Sequence, residues 1–116
     1  MTAIARFHAA FGALACGIAV ALGAYASHAA QAQDARRLAI AAAFAFAHGL
    51  ALLIIHTRAS RLANASMLCF AIGVVLFSGS LALAVFFGVP TALAPFGGSL
   101  LMLGWGILAF EFIRSR

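Results

Sequence analysis

Formal charge is nearly missing from this sequence. Charged side chains make up 8% of its 116 residues, against about a quarter in soluble domains. So few charges cannot cover a soluble fold of this size with polar groups. A water-exposed globule is excluded, and lipid is the remaining solvent. Acids are rarer still, with only Asp34 and Glu111, both at the edges of apolar runs. That placement excludes a carboxylate-oriented nucleophilic triad around Ser78 or Ser80. It also excludes the intramembrane carboxylate that a small proton-coupled four-helix exporter needs. Cysteine is confined to Cys16 and Cys69, each inside an apolar run. A disulfide framework is not indicated, and both are expected to pack as small hydrophobes. There is no phosphate-binding loop.

What is present is apolar and periodically interrupted. Hydrophobic residues make up 66% of the chain. Four long runs stand out: Phe7–Tyr25, Leu38–Ile55, Ala63–Phe87 and Pro95–Ile113. A bilayer core of about 30 Å needs about 20 helical residues at 1.5 Å each, so each run is long enough to cross. The expected fold is all-α: an integral membrane four-helix bundle of antiparallel up-down topology, forming one transmembrane domain over residues 1–116. The connections are read as Ala26–Arg37, His56–Leu62 and Gly88–Ala94. Short links of this kind make sequential helices antiparallel neighbours.

The charges that exist lie where a bilayer tolerates them. Arg6, Asp34, Arg36, Arg37, Arg58, Arg61, Glu111, Arg114 and Arg116 all flank the runs. A charge at the bilayer centre costs at least about 2.5–3.5 kcal/mol. The N-terminus, second loop and C-terminus share Arg6, Arg58, Arg61, Arg114 and Arg116, whereas the first loop has Arg36 and Arg37 and the third has none. Positive residues favour the cytoplasmic side. The expected location is the bacterial cytoplasmic (inner) membrane, multi-pass, with both termini cytoplasmic. The net charge of +5 comes from scattered arginines without a basic stripe, so nucleic acid is not an expected partner. The first run is longer than the apolar core of a secretory signal, so it is expected to remain as a span.

Helices in lipid associate through close packing and polar contacts. The first span has two ridges of small residues, Ala5, Ala9, Ala13, Gly17, Ala21 and Ala15, Ala19, Gly23, Ser27. Bundle packing is their expected use, and pairing with a second copy or another membrane protein is the alternative. Pro95 is placed as an early helical residue, where its missing N–H costs little. Glu111 and Arg114 are expected to pair along one helix.

His48 lies about ten residues inside the second span, roughly 15 Å from either face. Counting from the span ends places Cys16, Ser78, Gly79 and Trp105 near the same depth. This predicts a mid-membrane polar layer in which His48 bonds to Ser78, Cys16 or the Trp105 indole, with Trp105 turned inward. As a structural group, His48 joins helices. As a functional one, it relays protons or binds a ligand. A second set, His28, Pro95, Gly97 and Gly98, is expected at the outer mouth. His8 and His56 lie at similar depth and could meet to hold a metal or haem, with His28 as the alternative ligand; no cofactor or metal is expected overall.

Five ordered strings resemble one family. They are Leu22-Gly23-Ala24-Tyr25-Ala26-Ser27-His28, His48-Gly49-Leu50-Ala51-Leu52-Leu53, Leu76-Phe77-Ser78-Gly79-Ser80-Leu81, Ala94-Pro95-Phe96-Gly97-Gly98 and Gly104-Trp105. In this order and spacing the chain resembles the domain of unknown function 423 family, whose eukaryotic relatives include transmembrane protein 256. The resemblance runs from about Phe7 to Ile113. It implies a four-helix membrane protein and brings no activity with it. It points to His28, His48, Ser78, Gly79, Pro95, Gly97, Gly98 and Trp105 as positions to watch. Phe44 and Ala45 stand where members often have Tyr and Gln, and Ala94 where they often have Thr.

The sequence therefore leads to a small integral membrane protein, non-enzymatic, acting as a structural or accessory component. The first alternative is a binder or transporter of a small molecule, lipid or ion near His48, Ser78 and Trp105. The second is a histidine-ligated metal or haem protein.

Overall fold

The computed structural model describes residues 1–28 and 30–115. It consists of α1 (Ala3–His28), α2 (Ala32–Ile55), α3 (Arg61–Phe87) and α4 (Ala94–Arg114). All four are long and apolar enough to cross a membrane. A helix satisfies its own backbone groups, which is why it is one of two structures that can span lipid. The expected all-α four-helix arrangement is what forms, and the chain is a multi-pass membrane protein.

Local chemistry sets the helix ends. The Thr2 hydroxyl accepts from the Ala5 N–H at 3.1 Å at the start of α1. Ser60 caps α3 by accepting from the Ala63 N–H at 3.0 Å. Gly88 ends α3 in the left-handed region at φ 67°, its N–H donating to the Ala84 carbonyl, a conformation that glycine adopts without strain. Pro95 sits in the first turn of α4, as expected. The first connection is shorter than expected. α1 runs on to His28 and α2 begins at Ala32, so Asp34, Arg36 and Arg37 lie on helix rather than loop. Asp34 in the first turn of α2 favours this start, because its charge opposes the positive helix end.

The helices pack in chain order: α1 on α2, α2 on α3, and α3 on α4. α1 meets α3 only lightly, and no Cα of α1 lies within 8 Å of one in α4 among the described residues. Two glycine crossings bring neighbours together. A Cβ on Gly12 would stand 2.6 Å from the Gly49 carbonyl oxygen, and one on Gly49 would stand 2.7 Å from that of Gly12. On the other side, a Cβ on Gly97 would stand 2.8 Å from the Gly73 carbonyl oxygen. Hydrogen in place of a methyl group lets these backbones approach.

α1 therefore buries Ala5, His8, Gly12, Ala15 and Ala19. Only part of each expected ridge lies on that face. Ala13, Gly17 and Ala21 are exposed, and nothing lies within 4 Å of where a Gly17 Cβ would be. The crossing centres on Gly12, four residues from His8 and outside both ridges. Phe70, Leu38, Leu52, Met67 and Ser66 are fully buried between the helices. The outside is apolar, with Ile113 80%, Phe87 74% and Ile54 71% exposed. Such a surface suits hydrocarbon and not water.

Candidate functional site

α2 places His48 next to Gly49, on the face that its neighbours cover, and only 5% of the residue is exposed. Its Nδ1 lies 2.7 Å from the Phe44 carbonyl oxygen one turn earlier. The Trp105 Nε1–H donates to His48 Nε2 at 2.9 Å. Because the indole is only a donor, Nε2 must be the acceptor and Nδ1 must carry the proton. Both ring nitrogens are thus engaged. The ring meets Phe70 edge-on at 5.3 Å and stacks on Phe44 at 5.9 Å, and Phe70 lies 4.7 Å from Trp105.

Of the three expected partners for His48, the structure selects Trp105. The orientation of Trp105 differs from expectation. It is 46% exposed, with its N–H edge on His48 and much of its ring on the outside. Gly104 takes the buried position, where Phe70 fills the space that a side chain would need. The next residue is turned about 100° around the helix and so leaves the seam.

The rest of the expected layer does not converge on His48. The Ser78 hydroxyl donates to the Ala41 carbonyl at 2.8 Å, tying α3 to α2. Cys16 Sγ lies 3.7 Å from the Phe46 carbonyl oxygen, on the seam between α1 and α2. Gly79 is half-buried and has nothing within 4 Å of where its Cβ would be. Ser66, which sequence reasoning missed, donates to the Gly104 carbonyl at 2.7 Å and ties α3 to α4. A serine in an apolar run was its only signal. Each of these bonds crosses a helix seam, so the polar groups at depth are distributed as interhelical ties.

The outer set does not assemble either. His28 and Pro95 are exposed at the ends of α1 and α4, helices that keep apart. Gly97 is buried at the α3–α4 crossing, and Gly98 is in ordinary contact with Phe77. These two glycines serve packing.

At the end of the bundle that carries both termini, Glu111 is 8% exposed. Its expected partner Arg114 instead stands over the Phe110 ring at 5.5 Å. Glu111 Oε1 accepts from the Ser60 hydroxyl at 2.7 Å and from Arg58 Nη2 at 3.4 Å. Arg58 Nη2 also donates to Ser115 Oγ at 3.1 Å, and the guanidinium lies 4.6 Å over Phe112. The link joins residues 53 apart in the chain and clasps the second loop to α4. Its spacing left no helical signature.

His8 is 3% exposed, and its Nδ1 is buried without a partner. His56 Nδ1 lies 2.7 Å from the Leu53 carbonyl oxygen. Among the described residues, no three His, Cys, Asp or Glu side chains come together as metal ligands would.

No solved structure matches the chain. The family model described as protein of unknown function, DUF423, matches residues 22–98. That stretch holds His28, His48, Ser78, Gly79, Pro95, Gly97 and Gly98, while Cys16 and Trp105 lie outside it. The match spans α2 and α3 whole, together with the last turns of α1 and the first of α4. On that extent, the chain belongs to the DUF423 family of membrane proteins.

Proposed function

We propose that this protein is a non-enzymatic structural or accessory component of a bacterial cytoplasmic membrane, with both termini on the cytoplasmic side. The observation that carries the reading is the engagement of its deep polar groups. His48, Ser78, Ser66 and Trp105 each use their hydrogen-bonding atoms on a neighbouring helix or on their own backbone. A proton relay or a substrate site needs groups free to exchange partners, and these are fixed. The orientation rests on the arginines. Arg6, Arg58, Arg61 and Arg114 lie at the end with the termini, and Arg36 and Arg37 at the other. An accessory role acts through contact with a second copy or another membrane protein, and the exposed Ala13, Gly17 and Ala21 face of α1 permits close helix approach.

Proteoliposomes test the reading. Vesicles with purified protein should pass protons and monovalent ions no faster than empty vesicles, and His48→Ala should change nothing. A selective flux that His48→Ala abolishes would overturn the reading in favour of transport. Orientation is read separately in cells. Thr57→Cys, in a Cys16→Ala, Cys69→Ala background, should resist a membrane-impermeant maleimide until the cytoplasmic face is opened.

A further inference from the structure

α1 and α3 run in the same direction, since each is joined to α2 by a short link. They scarcely touch along their lengths. Four cavities follow one another along the seam between them, each sharing lining residues with the next. The first, about 500 Å³, lies at the end with the termini and is bordered by His56, Thr57, Arg58 and Asn64. It shares Ile4 and Asn64 with the second, about 380 Å³, which His8 also borders. Phe7 and Leu68 lead on to a third of about 220 Å³. Phe11 and Val75 lead to a fourth of about 360 Å³.

Polarity falls along this series. The third cavity is lined by apolar side chains alone. The fourth has one hydroxyl, that of Ser78, which is already donated to Ala41. From Ile4 to Leu14 the helix rises about 15 Å, which is half of the roughly 30 Å hydrocarbon core. The polar cavity therefore stands at headgroup level, and the apolar ones descend to the midplane. Phe7, Leu68 and Val75 are 54%, 51% and 56% exposed, so the seam opens sideways to lipid.

The head end has unused hydrogen-bonding capacity. Two buried polar atoms lack a partner among the described residues, His8 Nδ1 and Arg58 Nε. Arg58 borders the first cavity and His8 the second. A buried polar atom without a partner is unfavourable and rare in folded proteins. Arg58 meets both Glu111, at 3.4 Å, and Ser115, at 3.1 Å, through Nη2, so Nη1 has no partner among the described residues and is left for another anion. Among the described residues, Arg6, Arg58, Arg61 and Arg114 stand at this end, with Glu111 the one acidic side chain.

We propose that the α1–α3 seam binds one anionic phospholipid, its phosphate held by Arg58 and Asn64 and one acyl chain laid past Phe7 and Leu68 to Val75. Arginine suits a phosphate, because its N–H groups match the spacing of the phosphate oxygens. A free phosphate would leave the apolar cavities unfilled. A helix of a second copy would leave the cationic end without an anion.

Native mass spectrometry of the delipidated full chain in detergent tests this, with dioleoyl phosphatidylglycerol, dioleoyl phosphatidylcholine and inorganic phosphate as probes. One phosphatidylglycerol should bind per chain, about tenfold more tightly than phosphatidylcholine, whose choline cation cancels the phosphate charge that the arginines meet. Arg58→Gln should weaken both lipids, which share the phosphate, and should weaken phosphatidylglycerol more, so that the preference shrinks. Glu111→Gln breaks the same Arg58–Glu111 link but leaves the guanidinium, so phosphatidylglycerol binding should persist or tighten. Asn64→Leu, outside the Glu111 link, should weaken phosphatidylglycerol binding even if Arg58→Gln fails to fold. Equal binding of the two lipids overturns the proposal. So does equal loss in Arg58→Gln and Glu111→Gln, which would make Arg58 a clasp only. Displacement of the lipid by inorganic phosphate overturns it as well, because the acyl chain would then contribute nothing.

Discussion

His48 and Glu111 are both polar, both buried and both satisfied from another helix or loop, but only one of them announced its partner. His48 sits about 15 Å deep in an apolar run, so its candidates were few and Trp105 was among them. Glu111 lies near a helix end with Arg114 one turn away, so the local pair was the natural reading. The structure gives it Ser60 and Arg58 instead, because the second loop folds back over the end of α4. Sequence spacing reports contacts within a helix, and a partner 53 residues away leaves no trace in it. Ser66 was missed for a related reason. A hydroxyl that bonds to the Gly104 carbonyl has no side-chain partner to be found in the sequence. Ser66→Ala is expected to destabilise the fold by about 0.6 kcal/mol, and by at most about 1.7 kcal/mol. Reversible unfolding in mixed micelles measures this. Glu111→Ala should cost more than Arg114→Ala in the same assay, since Arg114 stands over the Phe110 ring and makes no side-chain hydrogen bond among the described residues.

The helices themselves were legible from hydropathy, because nothing but a helix or a closed barrel spans lipid. Their ends were less so. The charges at Asp34, Arg36 and Arg37 look like loop residues when read by hydropathy, but they are the first turns of α2. A helix extends beyond the apolar core into the headgroup region, where charge is tolerated. Which face of α1 turns inward was also hidden, since alanine and glycine lie all round it. The Gly12–Gly49 crossing decides it. Gly49→Leu should therefore force α1 and α2 apart, at a cost of about 1–3 kcal/mol, the usual penalty for overpacking. Gly17→Leu should be near neutral, because nothing lies within 4 Å of that position. Thermal unfolding of the two variants in one detergent separates them. Equal loss would mean that α1 presents a different face.

Taken as a whole, the molecule is a row of helices packed in chain order, with open cavities along the α1–α3 seam. The centre is tied at three levels: Ser78 to Ala41, His48 to Trp105, and Ser66 to Gly104. The His48–Trp105 bond is the longest reach among them, linking α2 and α4 although no Cα of one lies within 8 Å of the other among the described residues. Hydropathy and arginine counts made the four spans plain, because lipid acts on every residue of a span. They could not show which helix pairs would close and which seam would stay open, since that depends on side-chain fit. The deep polar groups hold the helices together. A double-mutant cycle on His48→Ala and Trp105→Phe, followed by reversible unfolding in lipid–detergent micelles, measures their coupling directly. A coupling of about 0.6–1.7 kcal/mol is predicted for this interhelical bond. Strictly additive losses would contradict it.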